Sequence, residues 1–268
     1  MKGNEVLNLV DLEDEDSSLV GLLGQRMFAI RKKVSLPPMF LVSGSVFRDM
    51  VEGKEIPEGN HISWELELDI ARRFDELESP VARIIPSPSY EHSISPISLV
   101  NSKSSLVLGI DSLFRSFFER EEVEKREQMG VREFSVAAIV QKLFDAKCSG
   151  HLTQLEKETR FTAVHGLPMQ TVGKDTYVLD IEGKMTSHSE TEQKKKWVLG
   201  EKEAEIVKIK KISWDTDKLT EKQVARLASL GRKILEFFGE SVTVEWYLVR
   251  NTFYLASLYP TKMGLAGS

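Results

Sequence analysis

The sequence predicts an α+β protein in two lobes, and three observations carry that reading. Apolar residues recur at helical spacing through most of the first half, and do so over a long stretch only once after Gly130. From Phe134 to Ile212, and again from Val242, short apolar or alternating runs bounded by turn residues take their place. The 268 residues are 41% hydrophobic and 29% charged, which supplies a sizeable core and excludes collagen-like, disulfide-scaffold and wholly disordered chains. The lobe boundary is expected between Gly109 and Phe134. The division read from the sequence is an acidic arm over 1–16, an N-terminal α/β lobe over 17–120, a C-terminal lobe over 121–262 and a tail over 263–268.

In chain order, Glu5, Asp11, Glu13, Asp14, Glu15 and Asp16 face only Lys2, so the opening segment is expected to be a loosely docked arm. Leu19, Leu22, Leu23, Met27 and Ile30 then mark a helix, capped by Ser18, favoured at its end by Arg31, Lys32 and Lys33 and stopped by Pro37-Pro38. Met39–Val42 is a short buried strand, and a helix opens at Ser43 or Ser45 and runs through Val51 to Gly53. Trp64, Leu66, Ile70, Phe74 and Leu77 place a helix over Ile62–Leu77, and Val81–Ile85 is a strand.

Between Pro86 and Pro96, three prolines and four serines without periodicity predict a loop. The next helix is expected near Asp111, with Leu113, Phe114, Phe117 and Phe118 as its core stripe, a charged end over Glu119–Gln128 and a stop at Gly130. Strands follow over Phe134–Phe144, Gly150–Thr153, Phe161–Val164, Thr176–Ile181, Trp197–Leu199 and Glu205–Ile212. One long helix carries Val224, Leu227, Leu230, Ile234 and Phe238, with Thr220 and Gln223 at capping-box spacing and Gly239 past its end. Val242–Val249, an Arg250-Asn251 turn and Thr252–Leu258 form a hairpin.

Charge narrows the function classes. Thirty-six Lys plus Arg against 41 Asp plus Glu give a net charge of −5, which offers no general pull toward nucleic acid or an anionic membrane. No apolar run approaches the roughly 20 residues of a membrane span, and the acidic start lacks a signal-peptide pattern. Cys148 is the single cysteine, which rules out an intrachain disulfide and suits a reducing, cytoplasmic setting. In Ala-Lys-Cys-Ser-Gly it reads as a small strand or turn residue rather than a nucleophile.

The order of short fragments is more specific. Val20-Gly21-Leu22-Leu23-Gly24 is similar to V-G-G-K-G, Leu36–Val42 to V-P-P-G-F-V-V, Val81-Ala82-Arg83 to the start of V-R-S-S, and Ser112–Phe118 to a helix carrying A-S-L-F. Val136–Gly150, with Val140-Gln141-Lys142-Leu143 inside it, is similar to a strand pair reading V-Q-K-M and then S-G-V, Gly166-Leu167 to the start of G-L-G-E and Asp175–Val178 to P-D-x-Y-V. Leu227–Trp246 matches the helix and strand ending in D-I-E-W, and Phe253-Tyr254-Leu255 the strand carrying L-Q-A-R-P. In this order, over roughly residues 18–261, they resemble the N-terminal nucleotide-binding region of phosphoenolpyruvate synthase and pyruvate, phosphate dikinase. The resemblance implies an ATP-grasp-like, two-lobed architecture with ATP and Mg²⁺ as cofactors. It also implies a protein partner for the family's phosphohistidine and pyruvate-binding domains, for which 268 residues leave no room.

Phosphoryl transfer needs cations around the phosphates and oxygen ligands for magnesium. Carried over position by position, the resemblance puts Leu23 at the family's phosphate-contacting lysine and Thr243 at the first carboxylate of D-I-E. It puts Ala256 and Leu258 at the metal-facing glutamine and phosphate-facing arginine, Ile84-Ile85-Pro86 at the serine-threonine run, and Met169 at the glutamate of G-L-G-E. The joint change of Leu23, Ala256 and Leu258, which the family gathers in one cleft, reads as removal of the phosphate site.

The candidates left for nucleotide binding are Arg83, Lys142 and Glu245, with Glu245 also the candidate metal ligand and Asp175 a further survivor. Each has a plain alternative: Arg83 fits an ion pair between lobes, and Glu245 a satisfied cleft carboxylate. His61, His92, His151, His165 and His188 show no metal-pair spacing, and Lys194-Lys195-Lys196 reads as a solvated loop. Two functions follow. One is a catalytically degenerate binding or regulatory subunit, a pseudoenzyme. The other is an ATP-dependent phosphotransferase of the kinase type with a rearranged site and a partner supplying the remaining domains. A small-ligand sensor with an apolar cleft is a third.

Overall fold

Val6–Asn8 forms β1 in the computed structural model, which describes residues 5–9, 12, 19–52, 62–91, 98–169, 173–209 and 217–261. This strand corrects the expectation of a loose arm, because Val6, Leu7 and Leu9 are buried and pair with or flank the next strand, β2 (Met39–Val42). Apolar burial at these positions outweighs the acidic composition around them. The expected cap Ser18, the turn at Gly53, His61, His92 and the tail 263–268 lie outside the described residues.

Two compact units divide the chain, residues 1–29 with 38–143 and residues 30–37 with 144–268. The division falls at Leu143 rather than between Gly109 and Phe134, because the strand β5 (Val136–Lys142) is the middle strand of the first unit's sheet. That sheet runs β1-β2-β5-β3-β4, with β3 at Ala82–Pro88 and β4 at Ser98–Val100, and every neighbouring pair is antiparallel.

One face of the first sheet presents Phe40, Val42, Ala82, Ile84, Ala138 and Val140 to three helices: α2 (Gly44–Glu52), α3 (Trp64–Glu76) and α4 (Lys103–Ser116). Alternation sends Leu41, Ile85 and Ile139 to the other face, where α1 (Gly21–Ile30) comes so close that a Cβ at Gly24 would stand 3.2 Å from Leu41 Cδ2. Phe114 and Phe117 are core, as their stripe predicts, and pack edge-on to Phe47 at 5.6 and 6.4 Å.

Three expectations for this unit change. β3 continues through Pro86 and Pro88, where a loop was expected; among the described residues β4 pairs only with Ala82–Ile84, and a strand tolerates proline where its edge needs no donor. The helix expected near Asp111 begins at Lys103, because Ser102 and Ser105 cap one another reciprocally. The charged continuation is a separate helix, α5 (Arg120–Gln128), and its Arg126 is buried over the ring of Phe134 at 4.1 Å.

The second unit is a six-stranded antiparallel sheet in the order β13-β12-β6-β7-β8-β9. Its strands are β6 (Cys148–Gln154), β7 (Glu158–His165), β8 (Asp175–Asp180), β9 (Met185–Ser189), β12 (Val242–Val249) and β13 (Thr252–Pro260). One face packs on α6 (Glu221–Phe238) through Val224, Leu227, Ala228 and Ile234. The expected capping box of Thr220 and Gln223 is present, and Gly239 takes the left-handed cap at φ 69°. β9 was not expected, since an exposed polar edge strand carries no apolar period. A two-stranded ribbon, β10 (Lys195–Leu199) with β11 (Ala204–Lys208), completes the unit. No helix among the described residues is long and apolar enough to cross a membrane.

Candidate functional site

Strands β12 and β13 carry the polar face opposite α6. Val242, Val244, Trp246 and Leu248 enter the core cluster, so alternation turns Thr243, Glu245 and Tyr247 to the other side. A bulge follows Glu245: this residue pairs with Ser257 and Trp246 with Leu255, which leaves Ala256 as the extra residue. Leu258 pairs with Val244 and lies in the core.

The register therefore corrects two assignments. The β13 positions on the Glu245 face are Ser257 and Tyr259, opposite Glu245 and Thr243, rather than Ala256 and Leu258. Moving L-Q-A-R-P on by one residue, to Ala256–Pro260, also brings its proline onto Pro260. The glutamine position is then Ser257 and the arginine position Tyr259, so neither a cation nor an amide stands there.

Glu245 is buried, and hydroxyls approach both of its carboxylate oxygens: Tyr247 donates to Oε1 at 3.4 Å and Ser257 to Oε2 at 3.2 Å. Thr243 lies 3.4 Å from the Thr153 hydroxyl across the β6 pairing, and His151 is the register partner of Glu245 on the same strand. β12 and β13 contribute one carboxylate and no cationic side chain to this face. Arg160, which register sets opposite Thr153 on that face, pairs with Glu158 at 2.6 Å.

In the first unit, the glycine-containing opening meets the far end of β3. Gly21 has φ 66°, and a Cβ there would stand 1.8 Å from the Ser87 carbonyl oxygen. Ser87 donates to the Val20 carbonyl at 2.6 Å and accepts from the Gly24 amide at 3.0 Å. Leu23, at the lysine position of the motif, is buried.

Arg83 is the second residue of β3 and is buried, four residues or roughly 13 Å of strand before Ser87. It pairs with Gln141, whereas Lys142 pairs with Ala82, so Arg83 and Lys142 point to opposite faces of one sheet and are not brought together. Lys142 donates through Nζ to the Glu78 carbonyl at 2.9 Å, where Glu78 has φ 47° just past α3.

Asp175 is fully buried and paired with Lys218 at 2.5 Å; its oxygens also accept from the Thr191 amide at 3.0 Å and the Tyr177 hydroxyl at 3.4 Å. Burial, with the neighbouring charges of Asp175 and Asp217, raises the Tyr177 hydroxyl well above its ordinary pKa of 10.0. Lys218 escapes sequence reading because it lies 43 residues from its partner with no motif around it.

Gly166 turns at φ 82° so tightly that a Cβ would meet the Trp197 carbonyl oxygen at 2.1 Å, and Met169 beyond it is exposed. Cys148 is buried, donates to the Lys218 carbonyl at 2.9 Å and lies 3.7 Å from His165 Nδ1. Burial pushes its thiol from 9.0 up to about 11, the environment of an inert structural cysteine. Lys194 pairs with Glu192 at 3.2 Å, and Lys195 and Lys196 belong to β10 rather than to a loop.

Residues 95–265 match the family model described as pyruvate phosphate dikinase, AMP/ATP-binding domain. The chain is 24% identical over 245 residues to a "Probable phosphoenolpyruvate synthase" of Methanocaldococcus jannaschii, covering 80% of this chain and 20% of that protein. It is 23% identical over 311 residues to the "Probable phosphoenolpyruvate synthase" of Archaeoglobus fulgidus, covering 95% of this chain and 41% of that protein. It thus spans less than half the length of either relative. Among solved structures, D-alanyl-alanine synthetase A from Vibrio cholerae gives a TM-score of 0.43 at 8% identity, covering 91% of this chain and 56% of that one. D-Alanine-D-Alanine Ligase from Helicobacter pylori gives 0.40 at 11% identity, covering 88% and 52%.

Proposed function

The chain belongs to the pyruvate phosphate dikinase AMP/ATP-binding domain family, and on that premise we propose that it is a catalytically degenerate, ATP-grasp-like member acting as a binding or regulatory unit. The observation that carries the reading is the donor set around Glu245. A magnesium triphosphate asks for several oxygen ligands on the metal and cations on the phosphates. Here β12 and β13 supply a single carboxylate, approached at both oxygens by the hydroxyls of Tyr247 and Ser257, and set beside it Thr243 and Tyr259. The motif lysine is the buried Leu23. Losing one such charged or hydrogen-bonding contact costs about 3–4 kcal/mol of barrier, and several positions have changed.

The competing reading, a phosphotransferase on Arg83, Lys142 and Glu245, needs those side chains to converge, and the opposite facing of Arg83 and Lys142 weighs against it. The proposed role calls for a protein partner carrying phosphohistidine or pyruvate-binding domains. Cytoplasmic placement belongs to the same proposal and rests on a single buried, reduced cysteine. Steady-state phosphate release from Mg-ATP, with and without pyruvate, tests the central part: no turnover above the protein-free blank is expected, and turnover that scales with protein concentration overturns the reading.

A further inference from the structure

His188, Glu190 and Asp217 come from two stretches of the second unit, the end of β9 with the residue after it and the segment before α6. Each offers one ligand atom, and these atoms lie within 4.8 Å of one another. His188 Nδ1 stands 3.6 Å from Glu190 Oε1, close to the roughly 3.4 Å that separates two ligands of a tetrahedral ion with bonds of about 2.1 Å. Two carboxylates held this close repel one another unless a cation sits between them.

The cluster is held from beneath by one buried carboxylate. Asp175 Oδ1 accepts from the Thr191 amide, beside Glu190, at 3.0 Å. Its Oδ2 accepts from the Lys218 amide, beside Asp217, at 3.4 Å, and from the Tyr177 hydroxyl at 3.4 Å. The Tyr177 ring stacks on His188 at 4.4 Å and 20°, and the Lys218 ammonium closes the frame by donating to Asp175 and, at 2.8 Å, to the Thr191 carbonyl. Each of the three ligand residues is therefore next to, or stacked on, a residue bonded to Asp175. The frame fixes the backbone beside Glu190 and Asp217 and the ring beneath His188, and so places the three ligand residues through the residues that support them. It also gives the fully buried Lys218–Asp175 pair a purpose beyond stability, to which such pairs contribute little net.

We propose that His188, Glu190 and Asp217 bind a divalent transition cation of the zinc type, with water filling the remaining position. An imidazole beside two carboxylates on an open surface suits zinc, whereas magnesium and calcium prefer oxygen alone and more ligands. Isothermal titration of the whole chain, stripped with chelator, with zinc chloride tests this. A one-to-one site is expected, at least tenfold weaker in His188→Ala and in Asp217→Asn. Cys148→Ser, which removes the thiol beside His165, leaves it unchanged. Circular dichroism establishes that each variant is folded; Glu190→Gln replaces any that is not and is held to the same tenfold loss. Absence of saturable zinc binding overturns the site, as does a folded ligand variant that binds within threefold of the parent, or loss of binding in Cys148→Ser.

Discussion

Ser257 Oγ donates to Glu245 Oε2 at 3.2 Å across the β12–β13 pairing, two residues before Tyr259. The carboxylate that a metal would claim is thus tied to its own sheet. Glu245→Gln keeps an acceptor for one hydroxyl and is expected to change stability by no more than about 1 kcal/mol. Glu245→Ala removes the acceptor of two buried hydroxyls and is expected to cost about 1–3 kcal/mol. Urea unfolding of both variants checks this, and magnesium is expected to leave all three midpoints where they are.

The Lys218–Asp175 pair has solvent exposures of only 1% and 0%, so removing one partner leaves an uncompensated buried charge. Asp175→Asn and Lys218→Met are each expected to cost about 3–5 kcal/mol, and Asp175→Asn with Lys218→Met together less than their sum. A double-mutant cycle by guanidinium denaturation reads the coupling.

Gly21→Ala places a methyl group 1.8 Å from the Ser87 carbonyl oxygen at φ 66°. The junction of α1 with β3 must shift, and a loss of about 2 kcal/mol or more is expected. Gly130→Ala, at φ 70° with open space around its Cβ, meets only the backbone strain and is expected to cost less. Comparing the two thermal midpoints separates the clash from the conformational term.

Stability is expected to fall on both sides of a plateau from about pH 7 to 9. Burial raises Cys148 from 9.0 to about 11, so between those values the unfolded chain loses its thiol proton first and stability drops as pH rises. Burial, reinforced by Lys218, lowers His165 below 6.5, so as pH falls through 6.5 the unfolded chain takes up the proton first and stability drops again. Urea midpoints from pH 5.5 to 10.5 follow both limbs. Cys148→Ser is expected to flatten the alkaline one up to about pH 10, where the raised Tyr177 hydroxyl adds its own loss, and His165→Gln the acid one.

Local periodicity was enough to read β2, α3 and α6, whose apolar spacing and caps act within a few residues. It missed β1 and β9, where pairing with a neighbouring strand decides the conformation against an acidic or polar composition. At the candidate site, Glu245 and its face were legible from alternation, but the bulge at Ala256 was not, and one extra residue exchanges the two faces of β13. Arg83 and Lys142 were both candidates for nucleotide binding by resemblance; only the pairing of Arg83 with Gln141 reveals their opposite directions. The frame around Asp175 joins β8, the segment at Thr191 and Lys218, and contacts spanning 16 and 43 residues leave no local trace.

Calorimetric titration of the whole chain with Mg-ATP tests the loss of the phosphate site most directly. With Leu23 buried where a lysine is called for and Glu245 bonded within its own sheet, no saturable heat is expected up to millimolar nucleotide. A one-to-one isotherm with micromolar affinity that disappears in Glu245→Gln would contradict the account.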